Sequence, residues 1–351
     1  MRRPVKKKTF IGISGINATD NPGPGIGVAR SLREDKALKP VIVGLAYDGM
    51  EPGIYMDWIV DKSYIMPYPS AGGEAYFERL LYIKDNFGLD YVIPNLDVEL
   101  PFYIKYSDRL RDKGIRTFLP SLDEFHMCSK DGLAQVSGKI GMKIPRTVVL
   151  YSPETLAAAV ETIGLPVMVK GYYYGASRAG SYQEAISCFN NHVANWGYPV
   201  ILQEVIYGVE LNVVGVGDGE GRSMGLVGIK KVGKTSLGKI VTGVTIRNEK
   251  ILEAARLFVE STRWKGPFEL ECMTVGDDVY LIEINPRFPA WIYFATGVGV
   301  NLPSRLLKKM MGKPVDCSGD YEAGKLFVRY SYEIVTDIEA FQKSVTRGEN
   351  P

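Results

Sequence analysis

Histidine is almost missing from this chain: His126 and His192 are the only two in 351 residues. That excludes a histidine-rich metal site, and both imidazoles are read as structural or surface groups. Cysteine is scarce as well. Cys128, Cys188, Cys272 and Cys317 lie dozens of residues apart and form no C-x-x-C pair, which leaves neither a zinc site nor a disulfide framework and fits a reduced, cytoplasmic setting. Charge of one sign is not in excess. The 42 Lys+Arg against 40 Asp+Glu give a net charge of +2, which argues against a nucleic-acid or anionic-membrane partner. Long apolar runs are lacking too. The longest uncharged stretch, Phe288 to Ser304, is broken by Pro289, Gly297, Gly299, Asn301 and Pro303 and falls short of the ~20 residues that span a bilayer. The basic start, MRRPVKKKTF, breaks into glycines and polar residues before any signal-peptide core forms.

What is present is an ordinary soluble composition, 46% hydrophobic and 23% charged, in a chain long enough for two or three domains. Glycine is plentiful at 38, which implies many close backbone approaches. The first third alternates strand-like and helix-like segments. TFIGISG, PVIVGLAY, YVIP and RTFLP read as strands, with helical periodicity after NPGPGIG and in EAYFERLLYIKDNFG. Such alternation predicts crossover connections and a parallel, doubly wound sheet up to about residue 120. Further on, Ser121 with Glu124 and Ser181 with Glu184 have capping-box spacing, and Ser152-Pro153 opens a helix that Gly164 closes. LPVMVK and YPVILQEVI read as strands, 215–243 as glycine-dense strand material, and 248–263 as a helix burying Ile251, Leu252, Ala255, Phe258, Val259 and Thr262.

The hairpin FELECMTV-GDD-VYLIEIN carries the most chemistry. Glu269 and Glu271 share one strand face, as do Glu283 and Asn285, because side chains alternate along a strand. A loop of Gly276, Asp277 and Asp278 sets Glu271 opposite Glu283 and Glu269 opposite Asn285, with Tyr280, Ile282 and Ile284 on the other face. Directly opposed like charges are destabilising. The cluster is therefore either a solvated face or a set of oxygen ligands for a hard cation, and Arg287, following at once, suits a metal-bound anion between them. Lys170 at a strand end and Lys130 after Ser129 are each compatible with phosphate contact or with a plain solvated cap.

Taken in order, Lys130 before GLAQVSGKIGMKIP, LPVMVK at 165–170, QEVIYGVE at 203–210 and GPFELE with YLIEINPR within 266–287 resemble the ATP-grasp superfamily. The similarity covers about 1 to 310 and is strongest to carbamoyl phosphate synthetase large subunits and biotin carboxylase. The implied fold is α/β and α+β: a Rossmann-like pre-ATP-grasp domain (1–120), then the two subdomains of an ATP-grasp fold. The N-terminal subdomain (121–205) would hold the lid and phosphate loop, and the C-terminal one (206–351) the Mg²⁺ site and a return segment.

By this resemblance Lys130 and Lys170 contact ATP phosphates, Glu204, Val205 and Ile206 meet the adenine, and Glu210 binds the ribose. Glu271, Glu283 and Asn285 hold Mg²⁺, or Mn²⁺ in its place, with Glu269 the weaker candidate, and Lys170 and Arg287 are the catalytic cations. One loop departs from the family: GYYYGASRAGS sets three tyrosines ahead of the small residues that usually fold over phosphate, leaving backbone N–H groups from Gly175 to Gly180 and Arg178 for that task. GIKKVGKT at 228–235 matches a P-loop pattern but runs into a β-branched, glycine-rich strand rather than a helix. GPGIG at 23–27 is a partial dinucleotide fingerprint.

The implied activity is ATP-dependent ligation of a small-molecule carboxylate to an amine, with amino acids or peptides among the acceptors, by a cytoplasmic enzyme for which a homodimer is compatible. Two alternatives stand beside it: a nucleotide-binding protein without turnover, and an NAD(P)-dependent oxidoreductase built on the N-terminal unit.

Overall fold

The computed structural model describes residues 8–19, 22–129, 132–172, 175–235 and 238–350. Three sheets organise them. The first is formed by β1 (Phe10–Ser14), β2 (Val41–Ala46), β3 (Lys62–Ile65) and β4 (Tyr91–Ile93), mutually parallel in the order β3-β2-β1-β4. Helices Gly25–Glu34 and Gly73–Asn86 lie in its crossovers. Strand β3 carries a lysine and only four residues, too weak a pattern to stand out in the sequence. RTFLP, expected as a strand, makes a single bridge from Arg116 to Tyr91. It packs instead on the start of a later strand, where the φ of +108° at Gly266 and the Phe118 carbonyl oxygen leave no room for a side chain.

The second sheet is antiparallel, in the order β5-β8-β6-β7, from β5 (Thr147–Leu150), β6 (Val167–Gly171), β7 (Ala176–Ala179) and β8 (Val200–Glu204). Half of the expected phosphate loop is therefore strand: β7 pairs along β6, with Ala176 opposite Lys170. Tyr173 and Tyr174 lie outside the described residues. Ser121 forms the full capping box with Glu124, whereas Glu184 returns to the Gly180 N–H rather than to Ser181.

The third sheet has the order β13-β12-β9-β10-β11-β14, from β9 (Val209–Asp218), β10 (Ser223–Lys234), β11 (Ile240–Thr245), β12 (Lys265–Val275), β13 (Asp278–Asn285) and β14 (Leu326–Val328). Helix Glu249–Thr262 backs it, capped by Asn248, and buries Ile251, Leu252, Ala255, Phe258, Val259 and Thr262 as its periodicity predicts. The last strand, β15 (Glu349–Asn350), returns to the first sheet antiparallel to β3.

The first and third sheets share one core. Ile11, Ile13 and Val28 pack in the same apolar cluster as Val214, Val216, Trp291, Ile292 and Leu302. Gly27 abuts Ile292 and Tyr293, and the Ser31 hydroxyl accepts from Thr296. This packing fixes the loop after β4 against the segment after β13. Among the described residues no helix is long and apolar enough to cross a membrane.

Candidate functional site

The carboxylates of the hairpin do face one another. Glu271 stands opposite Glu283 and Glu269 opposite Asn285, although the turn is shorter than the sequence suggests. Val275 pairs with Asp278, leaving Gly276 and Asp277 as the turn, and a bulge at Ile282 restores the offset between Leu281 and Glu283. The bulge also changes which residues are buried. Val279, Leu281 and Ile284 enter the core, whereas Tyr280 and Ile282 stay half-exposed, so the apolar face is not the expected Tyr280, Ile282 and Ile284. A strand with one extra residue cannot keep strict alternation.

On the polar face every neighbouring strand contributes. Asn212 on β9 is paired with Glu271 in register and donates to Glu269 at 2.7 Å. Trp291 and Asn285 also donate to Glu269, at 2.7 and 3.0 Å. Burial and the adjacent Glu271 charge push the Glu269 carboxyl up. Three neutral donors hold this carboxyl in the face. Glu271 is different. Burial alone would raise it, but the Lys231 ammonium, 3.0 Å away, outweighs burial and draws its carboxyl down to about 2. Lys231 also meets Glu210 at 2.5 Å, and Lys234 meets the second oxygen of Glu210 at 2.6 Å. Lys234, the lysine of the P-loop-like string, thus ends a strand and serves as a counter-ion.

Arg287 closes the face on the side of the first sheet. Its Nε donates to Asp97 at 3.0 Å, its Nη1 to the Phe288 carbonyl and its Nη2 to Asn285 Oδ1 at 3.1 Å. Asn285 in turn directs its Nδ2 toward Glu269 and Glu271. Lys239 lies near this group, held below the usual lysine range by burial and by the Arg287 charge. On the second sheet Lys170 is buried at the end of β6 and donates to Gln203 Oε1 at 2.6 Å. Glu204, at the end of β8, accepts from Arg146. Burial would raise its carboxyl, but the Arg146 hydrogen bonds and charge leave it below the usual range. Val205 and Ile206, half-buried, lead from Glu204 into β9. Arg178 reaches the Tyr207 hydroxyl at 2.8 Å. Lys130 lies outside the described residues.

The structure therefore brings Glu210, Glu271, Glu283, Asn285 and Arg287 to one sheet face. It sets Lys170 and Glu204 on the second sheet, tied to Gln203 and Arg146. Lys231, Lys239, Asn212 and Asp97 went unnoticed in the sequence. Asp97 and Arg287 are 190 positions apart, and no local pattern joins them. Among the described residues no three His, Cys, Asp or Glu side chains converge to hold an ion by themselves. Two carboxylates and an amide oxygen nonetheless suit magnesium, which commonly takes one or two protein carboxylates and completes its shell with water and substrate phosphates.

The chain is similar to known proteins over this region and beyond it. A family model described as ATP-grasp in the biosynthetic pathway with Ter operon matches residues 198–330, which contain the third sheet and the whole carboxylate face. The carbamoyl phosphate synthase large chain of Pseudothermotoga lettingae is 24% identical over 272 residues, 73% of this chain but only 24% of that protein's length. The fold is that of N5-carboxyaminoimidazole ribonucleotide synthetase from Thermus thermophilus, with a TM-score of 0.65 and 17% identity over 90% of this chain and 81% of that one. It is also that of biotin carboxylase from Campylobacter jejuni, solved as a β,γ-ATP complex, with a TM-score of 0.66 and 16% identity over 88% and 72% of the two chains.

Proposed function

We propose that this chain, whose residues 198–330 match an ATP-grasp family model, is an ATP-grasp enzyme: an ATP-dependent ligase that activates a small-molecule carboxylate as an acyl phosphate for attack by an amine. The observation that carries this is the register of β12 and β13, which opposes Glu271 to Glu283 beside Asn285 and Arg287. An adjacent pair of carboxylates on a partly buried face calls for a cation, and a row of lysines and an arginine around it calls for a polyanion.

In this proposal residues 1–120 form a Rossmann-like unit, and 121–205 and 206–351 clasp the nucleotide between them. Lys130 and Lys170 bind its phosphates, Glu204, Val205 and Ile206 line the adenine, and Glu210 binds the ribose. Glu271, Glu283 and Asn285 would hold Mg²⁺, whose bound charge offsets that of the phosphate oxygens. A carboxylate oxygen of the substrate attacks the γ-phosphorus, the bond to the β-phosphate oxygen breaks, and ADP leaves. The amine nitrogen then bonds to the acyl carbon, phosphate departs and the nitrogen loses a proton. Arg287, with Lys239 near it, stabilises the anionic intermediate. Such transfer depends on positioning and fixed charge more than on a tuned base, which suits a chain with only two histidines. A cytoplasmic setting and an amino acid or peptide acceptor belong to the same proposal.

ADP release across a panel of carboxylates and amines tests it. Glu283→Gln should abolish most of the release that the parent chain shows, and a variant as active as the parent would refute the metal assignment. Thermal protection by Mg·ATP is expected, and protection by NAD(P) in its place would favour an oxidoreductase.

A further inference from the structure

Lys231 is the one cation that touches both Glu210 and Glu271 among the described residues. It projects from β10 onto the face shared with β9 and β12, and its side chain is 7% exposed. The Glu283 carboxylate, across the strand pair from Glu271, has no hydrogen bond or ion pair among the described residues. The ammonium therefore neutralises one member of an opposed pair and leaves the other uncompensated. A bare divalent ion approaching Glu271 and Glu283 would meet this fixed positive charge at ion-pair distance, where repulsion is scarcely screened. A metal that arrives with a triphosphate would not, because the phosphates give the ammonium a new partner.

We propose that Lys231 is a positioning residue that makes the metal site conditional on nucleotide: it occupies the carboxylate face in the free protein and yields it only to a metal–nucleotide pair. The proposal rests on the assignment of Glu271 and Glu283 as metal ligands. Its logic is linkage. Metal and nucleotide raise each other's affinity by the same factor, and Lys231 is a source of that factor. Lys234, on the second oxygen of Glu210, keeps Glu210 paired when Lys231 moves.

The experiment is Mn²⁺ binding followed by electron paramagnetic resonance, with and without a non-hydrolysable ATP analogue, on the full chain. The parent should bind Mn²⁺ weakly alone and at least about tenfold more tightly with the analogue. Lys231→Met should tighten nucleotide-free Mn²⁺ binding by about tenfold or more and shrink the coupling correspondingly. Because that substitution leaves an excess of buried negative charge, the double variant Lys231→Met/Glu210→Gln, which keeps the net charge of the face, is measured in parallel, and the same tightening is expected. Tightening in either folded variant supports the proposal. Nucleotide-dependent Mn²⁺ binding in the parent, with unchanged nucleotide-free affinity in both variants, overturns the role of Lys231 alone. No Mn²⁺ binding to any form, with or without nucleotide, overturns the metal assignment itself.

Discussion

The molecule buries carboxylates in two ways, and the contrast between Glu99 and Glu271 separates scaffold from candidate site. Glu99 follows β4 and is 0% exposed. It accepts from the Ser14 and Tyr47 hydroxyls, from the Asn95 and Leu96 N–H groups and, at 3.2 Å, from Tyr76. All of these donors are neutral, and burial pushes its carboxyl up. Glu271 has a lysine and an amide for partners and is drawn down. Neutral donors satisfy a carboxylate where it stands and hold a loop in place. An ammonium counter-ion leaves the charge open to exchange with another cation. Glu99 thus serves the site at one remove: it pins the turn that carries Asp97 to Arg287.

The sharpest break in this comparison is in turnover. Glu271→Gln should lower ADP formation by on the order of a hundredfold or more, the scale of losing a fixed charge at a reacting centre, while Glu99→Gln should leave it within about threefold, within the context-dependence of a neutral hydrogen-bond network. Similar losses for both would mean that Glu99 does more than support. Next in size is the junction between them. Asp97→Asn removes one partner of a largely buried ion pair and should cost about 2–3 kcal/mol in denaturant unfolding, below the ~3–5 kcal/mol of a wholly buried pair.

The two carboxylates should also tilt stability against pH in opposite directions. Glu271 titrates below its usual value of 4.5, so its contribution is fully present above that value and is lost as pH falls toward about 2. Glu99 titrates above its usual value, so the folded chain holds a proton that the unfolded chain releases, and stability falls as pH rises past 4.5. Unfolding curves of Glu271→Gln and Glu99→Gln across this range should lose the acid-side and the neutral-side slope respectively; a shared slope would remove the distinction. The smallest effect expected is that of Tyr47→Phe, which deletes one donor to Glu99 and should cost about 1–2 kcal/mol, read as a shifted denaturation midpoint.

Much of the site was legible because strand periodicity and chain order are local properties. Alternation put Glu271 with Glu269 and Asn285 with Glu283, and a short turn brought the two pairs together. The correct pairing came from a three-residue turn where the chain uses two residues and a bulge, since both give the same offset at Glu271. The difference shows only at Tyr280, Ile282 and Ile284, whose burial the bulge rearranges. Lys231 was not legible. Its approach to Glu210 depends on the register of β10 with β9, which shifts between Ser223 and Leu226 in a glycine-containing stretch that no alternation constrains.

The sequence by itself determined the character of the chain: many of its helix ends, its major strands, and a cluster of carboxylates and an amide followed by an arginine. These follow from propensities and spacings that act within a dozen residues. The tertiary structure decided which charges are partners. It set Lys231 between Glu210 and Glu271, brought Asp97 from the first sheet to Arg287 after the third, and sealed Glu99 beneath hydroxyls from three separate segments. Ion pairing depends on distance and burial in space, and neither quantity exists until the sheets have packed.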